Sequence, residues 1–199
     1  MITNSLSGEA AAGNATVAVG VTVTFLRLER FDRLDRAPRP LPAGTGLLSP
    51  RRCEVGFYRY LYGSVGAPYV WWLRRSLSDN EITGILADPA VSIHVLYVDA
   101  QPAGFFELDR RHAPSVNLSY FGLIPSRTGQ RLGTPLLHAA IRAAQGLGAK
   151  TITVNTCTAD HPRALPSYVA AGFQPVRAVR EVWDVPLRLG LSIPDHLRV

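Results

Sequence analysis

Lysine is almost missing from this chain: of its 21 basic residues only Lys150 is a lysine, and the rest are arginines scattered along 199 residues. The net charge of +6 therefore comes without a lysine-rich run. The arginine pairs Arg51-Arg52, Arg74-Arg75 and Arg110-Arg111 are not interleaved with aromatics as stacking sites for single-stranded nucleic acid are. Nucleic acid is thus not an expected partner; a small anion is the more economical one, and a GC-rich coding bias accounts for arginine equally well. Cysteine is scarce too, with Cys53 and Cys157 in no CxxC or Cys/His spacing, which argues against a disulfide scaffold and a zinc site and leaves two reduced thiols. His94, His112 and His138 show no metal spacing and no Ser or Cys partner, so no metal is expected. No apolar run approaches the ~18 residues of a membrane span, and the opening 20 residues lack the basic stretch of a secretory leader. The expectation is a cytoplasmic protein without a membrane partner.

What is present is enough apolar material for a core. Hydrophobic residues make up 47% of the chain, and the length suits one domain. Residues 1–19 are small, polar and glycine-bearing and are expected to stay outside the fold. Residues 20–187 form the domain, and 188–199 a C-terminal tail. The β-branched alternation of 21–30 predicts a strand, followed by a mobile loop over "RAPRPLPAGTG". Helical spacing follows from residue 53 to Gly63, and Ser78 with Glu81 forms a capping-box pattern that opens a helix ending at Asp88-Pro89. "VSIHVLYV" and "AGFFELD" read as a hairpin about "DAQP", with 115–124 the next strand of the same sheet. A helix over 134–146 and a strand over 150–157 complete a βαβ unit, then come a short helix over about 162–171 and the last β segments. The sum is an α+β fold with a mixed, mostly antiparallel sheet, not a doubly wound nucleotide fold.

The stretch "SYFGLIPSRTGQRLGTPLLHAAI" (119–141) runs a strand through a glycine-bearing turn into a helix. Backbone N–H groups from Gly129 to Thr134 lie where a helix leaves them unpaired, which suits a phosphate. A P-loop would need Gly-Lys-Ser/Thr, and a dinucleotide fingerprint GxGxxG; the spacing here satisfies neither. Taken alone, the stretch reads first as a relaxed βα turn that binds nothing.

"LIPSRTGQRLG" (123–133) and "HPRALPSYVAAGF" (161–173) together resemble the two signature motifs of the GNAT acyltransferase superfamily, in order and spacing over roughly residues 91–185. Leu123, Pro125, Gly129, Gly133, Ala164, Tyr168, Gly172 and Phe173 match. Thr128 stands where the family prefers Arg or Gln, Arg131 replaces the middle glycine, and His161 replaces an asparagine. The resemblance implies acetyl-CoA as co-substrate. Phe121, Leu123, Arg127, Thr128, Gly129, Gln130, Arg131, Leu132, Gly133, Thr134, Asn155 and His161 would hold it, with helices on both faces of the sheet.

The resemblance also assigns roles. Leu123 N–H would polarise the thioester carbonyl, and Tyr168 would protonate the departing sulfur; the plain alternative for Tyr168 is a half-buried helix tyrosine. A base is harder to find. Asn117 and Ser119 share a strand face and could orient a water, and Glu107 on the preceding strand could act through that water, unless it is an ordinary solvated glutamate. Tyr69, Trp71 and Trp72 could hold the acceptor by stacking or cation–π contact, or simply be core. The implied activity is direct transfer of acetyl to a primary amine of a small molecule or peptide, the rival being a GNAT-fold protein that binds acyl-CoA or a peptide without turnover. A second copy of the chain is the other partner compatible with this reading.

Overall fold

The computed structural model describes residues 15–31 and 39–199. Seven strands form one mixed sheet in the order β2-β3-β4-β5-β6-β1-β7. They are β1 (Thr16–Leu28), β2 (Thr45–Leu48), β3 (Val91–Val98), β4 (Gln101–Asp109), β5 (Ser115–Leu123), β6 (Thr151–Cys157) and β7 (Gln174–Pro186). The helices are α1 (Val55–Gly66), α2 (Leu73–Ser76), α3 (Asp79–Ala87), α4 (Gly133–Gly146) and α5 (Ala164–Ala170). Only β5 and β6 run parallel, joined through α4; every other pair is antiparallel.

Alternation along the strands sends side chains to two separate cores. Phe105 of β4 packs with Tyr58, Leu61, Tyr62 and Val65 of α1 and Ile82 of α3. Its neighbour Phe106 faces the opposite side, against Leu136, Leu137, Ala140, Ile141 and Ala144 of α4 and Tyr168 of α5. Each of the larger aliphatics so buried contributes on the order of 1.5–3 kcal/mol. Helix α3 begins where its capping box predicts: Ser78 N–H donates to the Glu81 carboxylate at 2.7 Å, and Glu81 N–H donates back to Ser78 Oγ at 3.3 Å. The β3–β4 turn is tighter than "DAQP", because Asp99 and Ala100 alone make it, both at positive φ, and Pro102 already lies in β4.

Three expectations about the chain's edges need correction. Strand β1 starts at Thr16, inside the segment expected to lie outside the fold, because Thr16 to Arg27 pair along β7 from Pro186 to Gln174; residues 1–14 lie outside the described residues. The segment 188–199 is no loose tail: Ile193 and Leu197 are buried against Val19, Val21 and Val23, and Val19 bridges to Arg198. In the proline-rich loop, residues 32–38 lie outside the described residues, and Thr45–Leu48 pairs with β3 as an edge strand.

Candidate active site

Strands β5 and β6 pair only over Ser115–Asn117 with Thr151–Thr153 and then part. One cause lies on β4: Glu107 pairs with Tyr120 and Leu108 with Leu118, so Ser119 is an extra residue that bends β5 away. On its other edge β6 pairs with β1 all along Ile152 to Cys157, on both sides of the split. Successive N–H groups along a strand point to opposite edges. Ile124 N–H donates to the Ala103 carbonyl at 2.9 Å on the β4 side, so Leu123 and Phe121 N–H face the gap.

A cleft of about 1050 Å³ occupies that gap, lined by Leu118–Leu123 on one lip and Val154–Cys157 on the other. At one end lies the loop into α4, contributing Thr128, Gly129 and Arg131–Pro135. The ladder of α4 opens with Leu136 N–H on the Leu132 carbonyl at 3.0 Å, so the amides ahead of it are those a helix leaves without an internal acceptor. Gly129 sits at φ 77° and Arg131 at φ 59°. A glycine takes the left-handed region freely, whereas Arg131 holds it under strain of roughly 1–2 kcal/mol. The loop therefore makes a left-handed turn at position 131 although that position carries a side chain. No carboxylate from this loop faces the cleft, and Arg39, Arg131 and Arg163 line it. The residues present thus fit a pyrophosphate.

Tyr168 also lines the cleft, 5% exposed, its ring held by Phe121 at 6.1 Å and Phe173 at 5.7 Å. Burial, reinforced by the nearby Asp160 carboxylate, pushes its hydroxyl well above the usual phenol range. The group is protonated throughout the neutral range, as a proton donor must be. Cys157 lines the cleft too, but burial and Asp160 push its thiol up to about 12, so it is no thiolate nucleophile.

The far end of the cleft is aromatic, with Tyr62, Tyr69, Trp71, Trp72, Tyr120 and Trp183. Trp71 serves core and cleft together: it packs on Tyr62 at 5.2 Å and Tyr120 at 5.3 Å, and its Nε1–H donates to Asp160 at 3.1 Å. Asp160 is the single carboxylate among the described lining residues. It also accepts from Thr156 Oγ1 and Cys157 N–H, both at 2.9 Å. Three donors hold its carboxyl group in place in an aromatic setting. Trp71 can approach α1 this closely only because residue 66 lacks a side chain; a Cβ there would stand 2.5 Å from the Trp71 Cβ. Gly66→Ala is expected to lower stability by about 1–3 kcal/mol and to break the indole–Asp160 hydrogen bond. A thermal melt with tryptophan emission checks this.

Several sequence-derived site residues lie elsewhere. Glu107 is neither a solvated glutamate nor a cleft residue. It is 1% exposed, accepting from Tyr58 Oη at 2.6 Å and from Arg74 at 2.8 Å, and it does not reach the cleft lining. Arg127, Gln130 and Asn117 are also outside the lining. Gln130 donates to the Ser126 carbonyl at 3.0 Å, and Asn117 is tied to Ser119 and Thr153. Phe121, Leu123, Thr128, Gly129, Arg131, Leu132, Gly133, Thr134, Asn155, His161, Ser119, Tyr69, Trp71 and Trp72 do come together around the one cleft. Tyr62, Tyr120, Trp183 and Asp160 are additions. Asp160 had one sequence signal, its place just after the strand that forms the second lip.

Comparison with known proteins agrees with this geometry. The acetyltransferase (GNAT) family matches residues 58–173, more than half of the chain, and the protein belongs to that family. Among solved structures, a GCN5-related N-acetyltransferase from Kribbella flavida is 18% identical with a TM-score of 0.57, over 83% of this chain and 60% of that one. A GCN5-related N-acetyltransferase from Sphaerobacter thermophilus is 15% identical at TM-score 0.54, over 89% and 55%. A tandem GNAT protein from the clavulanic acid biosynthesis pathway is 18% identical at 0.53, over 92% and 59%. These are likenesses of fold, and this chain spans about three fifths of the length of these three structures. No curated protein matches it. Among the described residues no helix is long and apolar enough to cross a membrane.

Proposed function

We propose that the protein is an N-acetyltransferase that moves an acetyl group from acetyl-CoA to a primary amine by direct attack while both are bound. The observation that carries this reading is the parting of β5 from β6. It opens a cleft with free strand-edge N–H groups in the middle, helix-start amides at one end and an aromatic chamber at the other. Gly129, Leu132, Gly133 and Thr134 would hold the pyrophosphate by backbone N–H, with Arg131 adding charge.

When bound, acetyl-CoA supplies the thioester, whose C–S bond breaks as the amine nitrogen bonds to the acyl carbon. Leu123 N–H stabilises the developing oxyanion. Tyr168 gives its hydroxyl proton to the departing sulfur and is reprotonated by way of the proton the amine gives up. The amine must be neutral to attack. The aromatic walls favour its neutral form by desolvation, so the chamber itself does part of the work of a base. Asp160 holds Trp71 in place within that wall.

Acetyl-CoA at a hundredfold its Kd should stabilise the protein by about 2.7 kcal/mol. Release of free thiol across a panel of primary amines then separates an enzyme from a protein that only binds. No thermal shift at millimolar acetyl-CoA would overturn the cofactor assignment, and a shift without thiol release for any amine would leave a binding protein.

A further inference from the structure

A second hollow, of about 320 Å³, opens between α1, α2 and the turn that follows β7. Four arginines line it, Arg59, Arg74, Arg75 and Arg188, with Tyr58 and Tyr62 and without a single carboxylate. Two of the four charges are already balanced: Arg59 pairs with Asp79 and Arg74 with Glu107. Arg75 and Arg188 have no carboxylate partner among the described residues, so the hollow keeps two uncompensated guanidinium groups.

The wall is organised before any ligand arrives. Arg59 donates to the Arg74 and Leu77 carbonyls, and Arg75 Nη2 donates to the Gly63 carbonyl at 3.0 Å. Arg75 Nε is buried without any acceptor, the single such side-chain atom among the described residues. Like charges gathered around one hollow repel, and an anion seated among them relieves the repulsion. Planar guanidinium groups match the paired oxygens of a carboxylate or a phosphate. We propose that this hollow is a binding site for a small oxyanion, a carboxylate or phosphate group, with Arg75 and Arg188 as its charged contacts. The site is separate from the acyl-transfer cleft and does not depend on that reading, although Tyr62 lines both.

The test is a calorimetric titration of the full chain with inorganic phosphate and, separately, with succinate, at an ionic strength held constant with sodium chloride. Saturable binding of at least one anion is expected, weakened about tenfold by Arg75→Gln and by Arg188→Gln and unchanged by Arg180→Gln, an exposed arginine outside both hollows; Arg131→Gln reads any separate phosphate binding at the cleft loop. The tighter anion tells whether the natural oxyanion is a phosphate or a carboxylate. Arg188 is exposed, so its variant keeps the test valid should Arg75→Gln fold poorly. No saturable binding of either anion, binding equally strong in both hollow variants, or binding lost only in Arg131→Gln would each overturn the proposal. Acetyl-CoA stabilisation is measured on the same variants, so either assignment can fail while the other stands.

Discussion

Tyr168→Phe is expected to lower kcat by about a hundredfold to a thousandfold while leaving acetyl-CoA stabilisation unchanged, within the range that a positioned general acid contributes. Phenylalanine preserves the ring contacts with Phe121 and Phe173, so the loss is confined to one hydroxyl. The pH profile adds a second check. Because burial and Asp160 raise the hydroxyl above its ordinary range, the wild-type rate should show no decline from tyrosine ionisation below about pH 10. Single-turnover thiol release for both proteins, measured from pH 6 to 10, gives both answers. An unimpaired Phe variant would remove Tyr168 from the chemistry.

Glu107→Gln is expected to cost stability, about 3 kcal/mol, which for a chain of this length lowers Tm by roughly 10 °C. The glutamine can still accept from Tyr58 but leaves the Arg74 guanidinium, with a side chain only 16% exposed, without its counter-charge. Replacing both partners by apolar residues, Glu107→Leu with Arg74→Met, should recover much of the loss, since the isolated charge and not the missing attraction is the expensive part. Chemical denaturation of the two single variants and the double variant completes the cycle. Arg74 also lies over the Tyr120 ring at 5.2 Å and donates its backbone N–H to Tyr62 Oη. Variants at this pair should therefore also raise the KM for the amine, through the aromatic wall. A base at position 107 would instead lower kcat with stability intact.

These two residues show what could be read ahead of the structure and what could not. Tyr168 lies in a run with fixed internal spacing, and spacing along a helix or a tight turn survives folding unchanged. The same holds for Gly129 to Thr134 and for the capping box at Ser78. Glu107 offered no such handle. Its partners lie 49 and 33 positions away in Tyr58 and Arg74, on helices whose packing against β4 no local pattern records. Alternation along "VNLSY" suggested that Asn117 and Ser119 act together, and they are in hydrogen-bond contact. The extra residue at Ser119, however, turns only one of them into the cleft. Asp160 stands in a loop with no local pattern around it, and its meaning comes from Trp71, 89 positions away. The start of β1 is equally illegible locally, since its small residues are ordered by pairing to β7 and not by their own preference.

The place of β1 between β6 and β7 also bears on how the chain is made. Thr22 N–H meets Thr158 Oγ1, 136 positions later, and β7 has no neighbour in the sheet except β1. Strand β1, made before the other described strands, is thus among the last to find its partners. Until then a valine-rich extended segment stands open to pairing with any other chain, a hazard that grows with the length of chain still to be made. Helices α1 and α3 with β3 and β4 form a local unit that can assemble earlier. The second lip of the cleft is completed only when β1 closes over β6, so a nascent chain that stalls short of that closure would hold a core but no finished cleft.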